Sequence, residues 1–285
     1  MFINLAGLPG KIKDLYNQVL TRAPASTALS NTIWTNAKAA SLDASVANGY
    51  PLELVTVQLS TGTWTRPSDM IGDVVFLSGC AGGGGGGGAQ TLNSNYYAAA
   101  GGGAAGQSAV MLPYPLRGAT SVFVSIGAGG SGGNYYSAGG SGGNTLFGDC
   151  RLTGGGGGEK ATASYTHAAG AGGTAAYAGD VDSLVRFGGN GGSGSTSTYS
   201  DNGGTALLSA FSGGVGRYKG GAGGGSSAFG QGGNGGRAAY SETPTSGGYG
   251  GGGGGAGTQL GGTTQNGAPG VSGVLYLSYY RRVSA

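Results

Sequence analysis

The segment GCAGGGGGGGAQTLNSNYYAAAGGG, from Gly79 to Gly103, decides how this chain folds. Seven consecutive glycines, Gly82 to Gly88, offer no side chains for a core, and an isolated glycine run is the most flexible backbone a protein can contain. The run is therefore either a flexible linker or a place where the missing Cβ atoms let backbone pack against backbone. A pair of tyrosines, Tyr96 and Tyr97, interrupts the glycines and needs a separate explanation.

Similar units recur along the chain, each with a few apolar residues followed by a glycine tract. They are SVFVSIGAGGSGG (121–133), NTLFGDCRLTGGGGG (144–158), SLVRFGGNGGSG (183–194), ALLSAFSGGVG (206–216) and SSAFGQGGNGG (226–236). A flexible linker does not need apolar residues at regular intervals, whereas stacked extended segments do need them. Glycine can adopt the threefold polyproline-II helix, which has no internal hydrogen bonds. Neighbouring tracts would then satisfy one another's backbone groups. We expect packed polyglycine-II helices; a β-sandwich with glycine-rich loops is the alternative.

Composition excludes several classes of protein. The chain has 285 residues, of which 71 are Gly and 9% are charged, with a net charge of +3. Collagen is excluded because no Gly-X-Y register is sustained and only 8 residues are Pro. No cluster of basic residues longer than Arg281–Arg282 occurs, so nucleic-acid binding has no electrostatic footprint. No signal-peptide pattern opens the sequence and no apolar run approaches the roughly 20 residues of a spanning helix, so membrane insertion is not expected.

Three regions follow from the pattern. Residues 1–48 show helical spacing of apolar residues in LPGKIKDLYNQVL and in STALSNTIWTNAKAASLDASVA, and we expect a helical attachment or oligomerisation segment. The narrow apolar stripe of these helices is typical of a short oligomeric bundle. The alternative is that both helices fold back onto the rest of the chain. Residues 49–79 alternate as β-strands, and residues 80–285 form a glycine-rich tip. The predicted fold class is mainly β and irregular, with short N-terminal helices, strands and packed polyglycine-II helices.

Residues that could carry catalysis are scarce. The chain has one histidine, His167, and no spacing of acids or cysteines that matches a catalytic triad or a metal site. Cys80 and Cys150 each follow an apolar run, so they either form a disulfide or remain buried thiols. Paired carboxylates of a polysaccharide-cleaving enzyme cannot be read from the sequence. We expect neither enzymatic activity, nor a cofactor, nor a metal.

Loops between the tracts are rich in Tyr, Ser, Asn, Thr and Gly. Antibody paratopes use the same residues, because Tyr provides wide amphipathic contact at low entropic cost and small polar residues provide adaptable hydrogen bonds. Individual tyrosines could instead cover the glycine tracts. We expect the loop residues, taken together, to contact a ligand. The predicted binding residues are Asn95, Tyr96, Tyr97, Asn134, Tyr135, Tyr136, Tyr165, His167, Tyr199, Tyr240 and Tyr249.

Two segments resemble a known class of protein. STGTWTRPSDMIGDVVFLSGCAGGGGGGG, followed by LRGATSVFVSIGAGGSGG, resembles the glycine-rich domain of bacteriophage tail fibres and tail tips. SNTIWTNAKAASLDASVANG (30–49) is similar to a helical segment that often precedes such domains in phage tail proteins. The resemblance also extends to the distal adhesins of T-even-type phages, which have polyglycine-II cores and variable loops at one end. Those adhesins lack a leading helical segment, so both a monomeric cap and a trimeric tip remain open.

The resemblance implies a tail-fibre or tail-tip adhesin that binds a host surface receptor. Its expected partners are a bacterial outer-membrane protein or polysaccharide, other tail-fibre or baseplate proteins, and further copies of itself in a homotrimer. Its expected location is the virion, after synthesis in the host cytoplasm. A glycine-rich structural protein or an ice-binding protein is the alternative, although the loops here differ in length and content rather than repeating a flat face.

Overall fold

In the computed structural model, the described residues comprise most of the chain after residue 51. They are residues 52–92, 95–164, 166, 168–175, 185–186, 188–197, 199–205, 211–237, 242–259 and 263–282. Fifteen β-strands lie in these ranges. The strands are β1 (Leu52–Gln58), β2 (Gly62–Thr65), β3 (Met70–Cys80), β4 (Ala89–Thr91), β5 (Tyr97–Ala99), β6 (Ser108–Pro115), β7 (Ser121–Ser125), β8 (Thr145–Phe147), β9 (Cys150–Leu152), β10 (Ala161–Ala163), β11 (Ala168–Ala169), β12 (Val185–Arg186), β13 (Gly257–Gln259), β14 (Thr263–Gln265) and β15 (Val274–Arg282).

Two sheets share one hydrophobic core. A five-stranded sheet has the order β1-β15-β3-β6-β12, and a four-stranded antiparallel sheet has the order β2-β7-β8-β9. Alternate residues of β3, such as Val75 and Leu77, are buried between the sheets, as the period-2 pattern requires. From the other sheet, Val124 and Phe147 enter the same core, where the Phe147 ring packs 5.9 Å from that of Trp64.

Contacts divide the chain into two units. Residues 54–280 form one compact unit, and it contains both this core and the glycine tracts. The other unit comprises residues 1–53 and 281–285. Among its described residues, Arg281 forms an ion pair with Glu53 at 2.8 Å between Nη2 and Oε2.

The glycine tract 82–88 donates hydrogen bonds to three other segments. Every third N–H of the tract points to the same neighbour, with N···O distances of 2.8–3.1 Å. The acceptors lie in segments 137–143, 268–271 and 101–104. A repeat of three is that of the extended polyproline-II type helix, which leaves every backbone group free to bond outward. The seven glycines therefore act as a threefold screw that bonds to its surroundings.

Carbonyl groups of the same tract accept hydrogen bonds with the same period. The donors are the N–H groups of segments 130–133, 155–161 and 253–256, at 2.8–3.0 Å. Together with the three acceptor segments, they give tract 82–88 six neighbours. A buried backbone group without a partner would cost free energy comparable to a lost hydrogen bond. Here the partners come from distant parts of the chain.

A second tract, residues 101–106, has the same arrangement. Its N–H groups donate, again every third residue, to segments 156–159, 189–192 and 250–253. It accepts hydrogen bonds from tract 82–88, so the two tracts bond directly to each other. The interior of this part of the protein is thus main chain rather than side chain.

The glycines of tract 82–88 leave no room for a Cβ atom. A Cβ atom built on Gly85 would lie 2.0 Å from the Ser131 carbonyl oxygen, and one on Gly87 would lie 2.0 Å from that of Glu159. Non-bonded carbon and oxygen atoms do not approach that closely. The atoms that such a Cβ would meet belong to the backbone, which cannot move away as a flexible side chain can. The close approach of tract 82–88 to its neighbours therefore depends on the absence of these Cβ atoms.

The fold class predicted from the sequence is wrong in combining α-helices with β-structure. The described residues form an all-β structure of four sheets, and no α-helix occurs within them. The physical reason is that their backbone N–H groups bond to sheet neighbours and to distant tracts, not to the fourth preceding carbonyl. Residues 1–48, to which the predicted helices were assigned, lie outside the described ranges.

Both cysteines are free thiols. Cys80 is fully buried where β3 passes into tract 82–88, and burial raises the pKa of its thiol to about 11. Burial, and to a lesser extent the charge of Asp149, also raises the pKa of Cys150. Of the two alternatives left open by the sequence, the structure has unpaired thiols in neutral form.

The packing of the tracts predicts a large difference between two identical substitutions. Gly85→Ala places a methyl group against the Ser131 carbonyl and should lower the free energy of unfolding by about 3 kcal/mol or more, at the upper end of overpacking costs. The measurement is denaturant-induced unfolding followed by circular dichroism and intrinsic fluorescence.

Gly118→Ala is the matched control. Gly118 has a left-handed φ of +79° but open space around its Cβ position, so alanine there should cost only about 1–2 kcal/mol. Equal stability of the two variants would contradict the close packing of tract 82–88.

Candidate functional site

The glycine tracts separate two ends of the 54–280 unit. Tract 82–88 begins after β3 of the five-stranded sheet and ends at β4, and tract 101–106 returns from β5 to β6 of the same sheet. We call the end that holds the two large sheets the sandwich end. The end that holds β4, β5 and the turns beside them is the loop end. A residue that follows or pairs with one end of a tract therefore lies at that end of the unit.

Two small sheets close the loop end. Their strand orders are β10-β4-β14 and β11-β5-β13, and each pairs a parallel with an antiparallel neighbour. Alanine side chains fill the space between them, including Ala89, Ala98 and Ala161. Thr91 and Thr258 are buried beside these alanines and share a hydrogen bond of 2.6 Å between their hydroxyl oxygens. Small residues here continue the close packing of the tracts up to the turns.

The first predicted binding turn, Asn134–Ser137, carries two adjacent tyrosines. The Tyr136 N–H donates to Asn134 Oδ1 at 3.0 Å, and the Ser137 N–H donates to the Asn134 carbonyl at 2.9 Å. Asn266, from another loop, accepts from the Tyr135 N–H at 3.1 Å. Asparagine suits this position because its short amide replaces a backbone acceptor in a turn. The turn is therefore fixed by its own residues and by a neighbouring loop.

Two tyrosine rings lie at this turn, one exposed and one half-buried. The Tyr135 and Tyr136 rings lie 4.0 Å apart between centroids, and Tyr136 is 56% exposed. A hydrogen bond with the Tyr136 side chain raises the pKa of Tyr135 above its usual value. The pair offers a broad amphipathic surface to solvent.

A second group at the loop end gathers tyrosines from three segments, and we call it the tyrosine–lysine cluster: Tyr97, Tyr199, Tyr218 and Lys219. Tyr199 and Tyr218 form an isolated antiparallel bridge, and their ring centroids lie 5.3 Å apart. Lys219 Nζ lies 4.7 Å from the Tyr97 ring centroid and 5.4 Å from that of Tyr218. Tyr199 is 70% exposed. The structure thus brings together two residues predicted from the sequence, Tyr97 and Tyr199.

Tyr218 and Lys219 were not predicted to belong to a site. A usable signal was present, since Arg217–Lys219 is a short basic and aromatic insertion between two glycine tracts, in the same place as the predicted loops. What the sequence does not contain is the pairing of this turn with residue 199. That pairing depends on the Ser200 N–H, which donates to the Arg217 carbonyl at 3.0 Å.

Two arginines and a glutamate contact the turn that carries Tyr218. Arg237 Nε lies 3.4 Å from Glu242 Oε2, and Arg217 Nε lies 3.8 Å from the same oxygen. Arg237 also donates from Nη1 to the Tyr218 carbonyl at 3.3 Å. The Gln265 amide donates to the Glu242 carbonyl at 2.9 Å. These contacts connect the turn at Tyr218 to the small sheets.

The remaining predicted residues fall into three groups. Asn95 is exposed in a turn at the loop end, and Tyr96 is half-buried against the alanines of the small sheets. Tyr249 is exposed at the opposite, sandwich end, where its carbonyl accepts a hydrogen bond from the Ser227 hydroxyl. The others lie outside the described residues, and they are Tyr165, His167 and Tyr240.

The described residues include no group of three or more His, Cys, Asp or Glu side chains placed to hold a metal ion. Within the same ranges, no helix is long and apolar enough to cross a membrane. The surface features that stand out at the loop end are aromatic rings and cations.

A comparison with protein families agrees with the geometry. The family described as "Glycine-rich domain" matches residues 56–280, which include the sandwich, the tracts and the loop end. The chain belongs to the glycine-rich domain family. The match covers most of the chain and includes both central tracts of this glycine-rich domain. Comparison with curated proteins gave no match.

The turn at residues 134–137 predicts a local effect of one amide. Asn134→Ala removes the acceptor for the Tyr136 N–H and should speed amide exchange at Tyr136, with a loss of about 1 kcal/mol or less in global stability. Asn134→Asp keeps an acceptor oxygen and should retain slow exchange. Hydrogen exchange followed by NMR distinguishes the two variants, and unchanged exchange in the alanine variant would contradict the capping role.

Proposed function

We propose that this glycine-rich domain is the receptor-binding tip of a phage tail fibre, and that its loop end binds the surface of a host bacterium. The observation that carries the proposal is that two groups of tyrosines lie at the loop end, on a block of hydrogen-bonded glycine tracts, with Tyr136, Tyr199 and Tyr218 exposed; Tyr249 and Tyr280 are exposed at the sandwich end. The two groups at the loop end are the Tyr135–Tyr136 turn and the tyrosine–lysine cluster. The resemblance of the sequence to phage tail-tip domains supports the same function.

Rigidity of the support favours binding by the loops. Association loses free energy when side chains and loops must be ordered, and about 0.5–1.5 kcal/mol is lost for each long side chain that becomes fixed. The turns at Tyr136 and Tyr218 are already held by hydrogen bonds to Asn134 and Arg237. A tyrosine has few rotatable bonds and presents a large surface, so it binds with a small further loss of entropy.

Several copies on one particle would strengthen weak contacts. When two or more binding sites are connected, the second contact forms at a high effective concentration, and avidity exceeds the affinity of one site. In this proposal the protein is a homotrimer on the virion, joined through other tail-fibre or baseplate proteins. Its receptor is a bacterial outer-membrane protein or polysaccharide.

Adhesion of the purified protein to cells tests the proposal. The fluorescently labelled protein should bind to some strains in a panel of bacteria and should block adsorption of a phage that infects them. Replacing both Tyr135 and Tyr136 by alanine should weaken cell binding at least tenfold, since two tyrosine rings at an interface centre contribute about 1 kcal/mol or more each. The melting temperature should stay nearly unchanged, because both rings lie outside the packed core.

Phe123→Ala is the control, because Phe123 is a 56% exposed aromatic on β7 at the sandwich end. It should bind cells as the unmodified protein does. Equal losses for the two variants would assign adhesion to general stickiness of aromatic residues, and absence of binding to every strain would contradict the proposal.

A further inference from the structure

Lys219 has a backbone conformation that a lysine seldom adopts. Its φ is +48°, in the left-handed region, where glycine or asparagine is the common choice. The turn is closed by the Gly220 N–H, which donates to the Arg217 carbonyl at 3.1 Å. Glycine would satisfy this turn without strain, and glycines surround it in the sequence. Met111 and Arg117 share this conformation, so what distinguishes Lys219 is where the turn places its side chain.

The conformation places an ammonium group between aromatic rings. Lys219 Nζ lies over both Tyr97 and Tyr218, at 4.7 and 5.4 Å from their centroids. In the described part of the chain, no carboxylate lies within ion-pair distance of Lys219. The rings hold the cation in place without neutralising its charge, because a cation–π contact uses the quadrupole of the ring.

The charged side chains at the turn of Lys219 and in the ion-pair group beside it are mostly positive, and Asp201, two residues after Tyr199, is an exposed negative charge on the neighbouring segment. Arg217, Lys219 and Arg237 provide three positive charges, and Glu242, which contacts both arginines, provides one negative charge. The balance of these four side chains is therefore +2. Such a surface attracts anions and gains affinity from complementary charge.

We propose that the tyrosine–lysine cluster binds an anionic polysaccharide, with the ammonium of Lys219 on a carboxylate or phosphate group and a sugar ring against Tyr199. The C–H groups on one face of a pyranose ring carry partial positive charge and match the negative face of an aromatic ring. Phenol hydroxyls of the three tyrosines add donors and acceptors for sugar hydroxyls. This inference rests on the proposed function and names the receptor class for one part of the loop end.

The composition of the cluster favours a glycan over a protein partner. The centre of a protein–protein interface is depleted in charged residues, and lysine is among the side chains it excludes. Here a lysine lies over two of the aromatic rings. A sugar polymer with one acidic group per few rings matches an arrangement of a single cation flanked by rings.

Affinity electrophoresis of the full chain tests the inference. Native gels contain polygalacturonate as the carboxylate polymer or a yeast phosphomannan as the phosphate polymer, and parallel gels contain the methyl ester of the first or the dephosphorylated form of the second. At least one acidic polymer should retard the protein, and its neutral counterpart should not. Which polymer acts distinguishes the carboxylate from the phosphate.

Two matched variants separate a site from general charge attraction. Lys219→Gln should weaken retardation at least tenfold. Lys160→Gln removes the same charge from an exposed residue beside β10, also at the loop end, and should weaken it less than twofold. Equal effects of both variants, or no retardation by either acidic polymer, would overturn the inference.

Lys219→Gly separates a ligand-binding role from a structural one. Glycine removes the strain of the left-handed turn. The melting temperature of the Lys219→Gly variant should therefore equal or exceed that of the unmodified protein, while retardation by the acidic polymer is lost. A lower melting temperature with retained retardation would assign Lys219 to stability and overturn the inference. If the protein adheres to cells and Lys219→Gln adheres equally well, the polysaccharide inference fails and the adhesin proposal stands. Failure of adhesion to all strains contradicts the adhesin proposal, whereas the gels still decide whether the cluster binds an acidic polymer.

Discussion

Hydrogen bonding between glycine tracts is the interaction on which the rest of the structure depends. In most domains, side chains form the core and the backbone bonds within helices or sheets. Here tract 82–88 has six neighbours, and each of them bonds to every third backbone group. One such bond contributes only about 0.5–1.5 kcal/mol net, so stability requires many of them at once. The large loss of backbone entropy at each glycine is offset only when the whole set forms together.

This constraint also explains the positions of the aromatic residues. The close packing of the tracts excludes large side chains from their interior, as the 2.0 Å approach of a Cβ on Gly85 to Ser131 illustrates, and admits only the methyl groups of alanines such as Ala104. Large side chains must lie outside the tracts, either in and on the sandwich or in the loops where the tracts reverse. Phe147 and Leu277 occupy the sandwich core, while Tyr136 lies in a turn and Tyr199 in an isolated bridge at the loop end. A surface suited to binding therefore follows from the scaffold itself, and the turns can change in sequence without altering the tracts.

Part of this structure could be predicted from the sequence. The strands of residues 49–79 followed from alternation in LELVTVQ and DVVFLSG, and the placement of Tyr135 and Tyr136 in an exposed turn followed from the tracts on both sides. The predicted fold class was wrong because the described residues are all-β. Partners of each tract could not be predicted, since glycines carry no pattern that distinguishes segment 137–143 from 268–271. For the same reason, the meeting of Lys219 with Tyr97, and the location of Tyr249 at the sandwich end, required the structure.

Amide hydrogen exchange across residues 82–88 and 101–106 tests the central claim most directly, with mass spectrometry of overlapping peptides as the readout. The six-neighbour arrangement predicts that these amides exchange as slowly as those of β3, because they open only when the domain unfolds as a whole. Exchange at the rate of an unstructured glycine peptide, with β3 still protected, would show that the tracts are loops and would contradict the account.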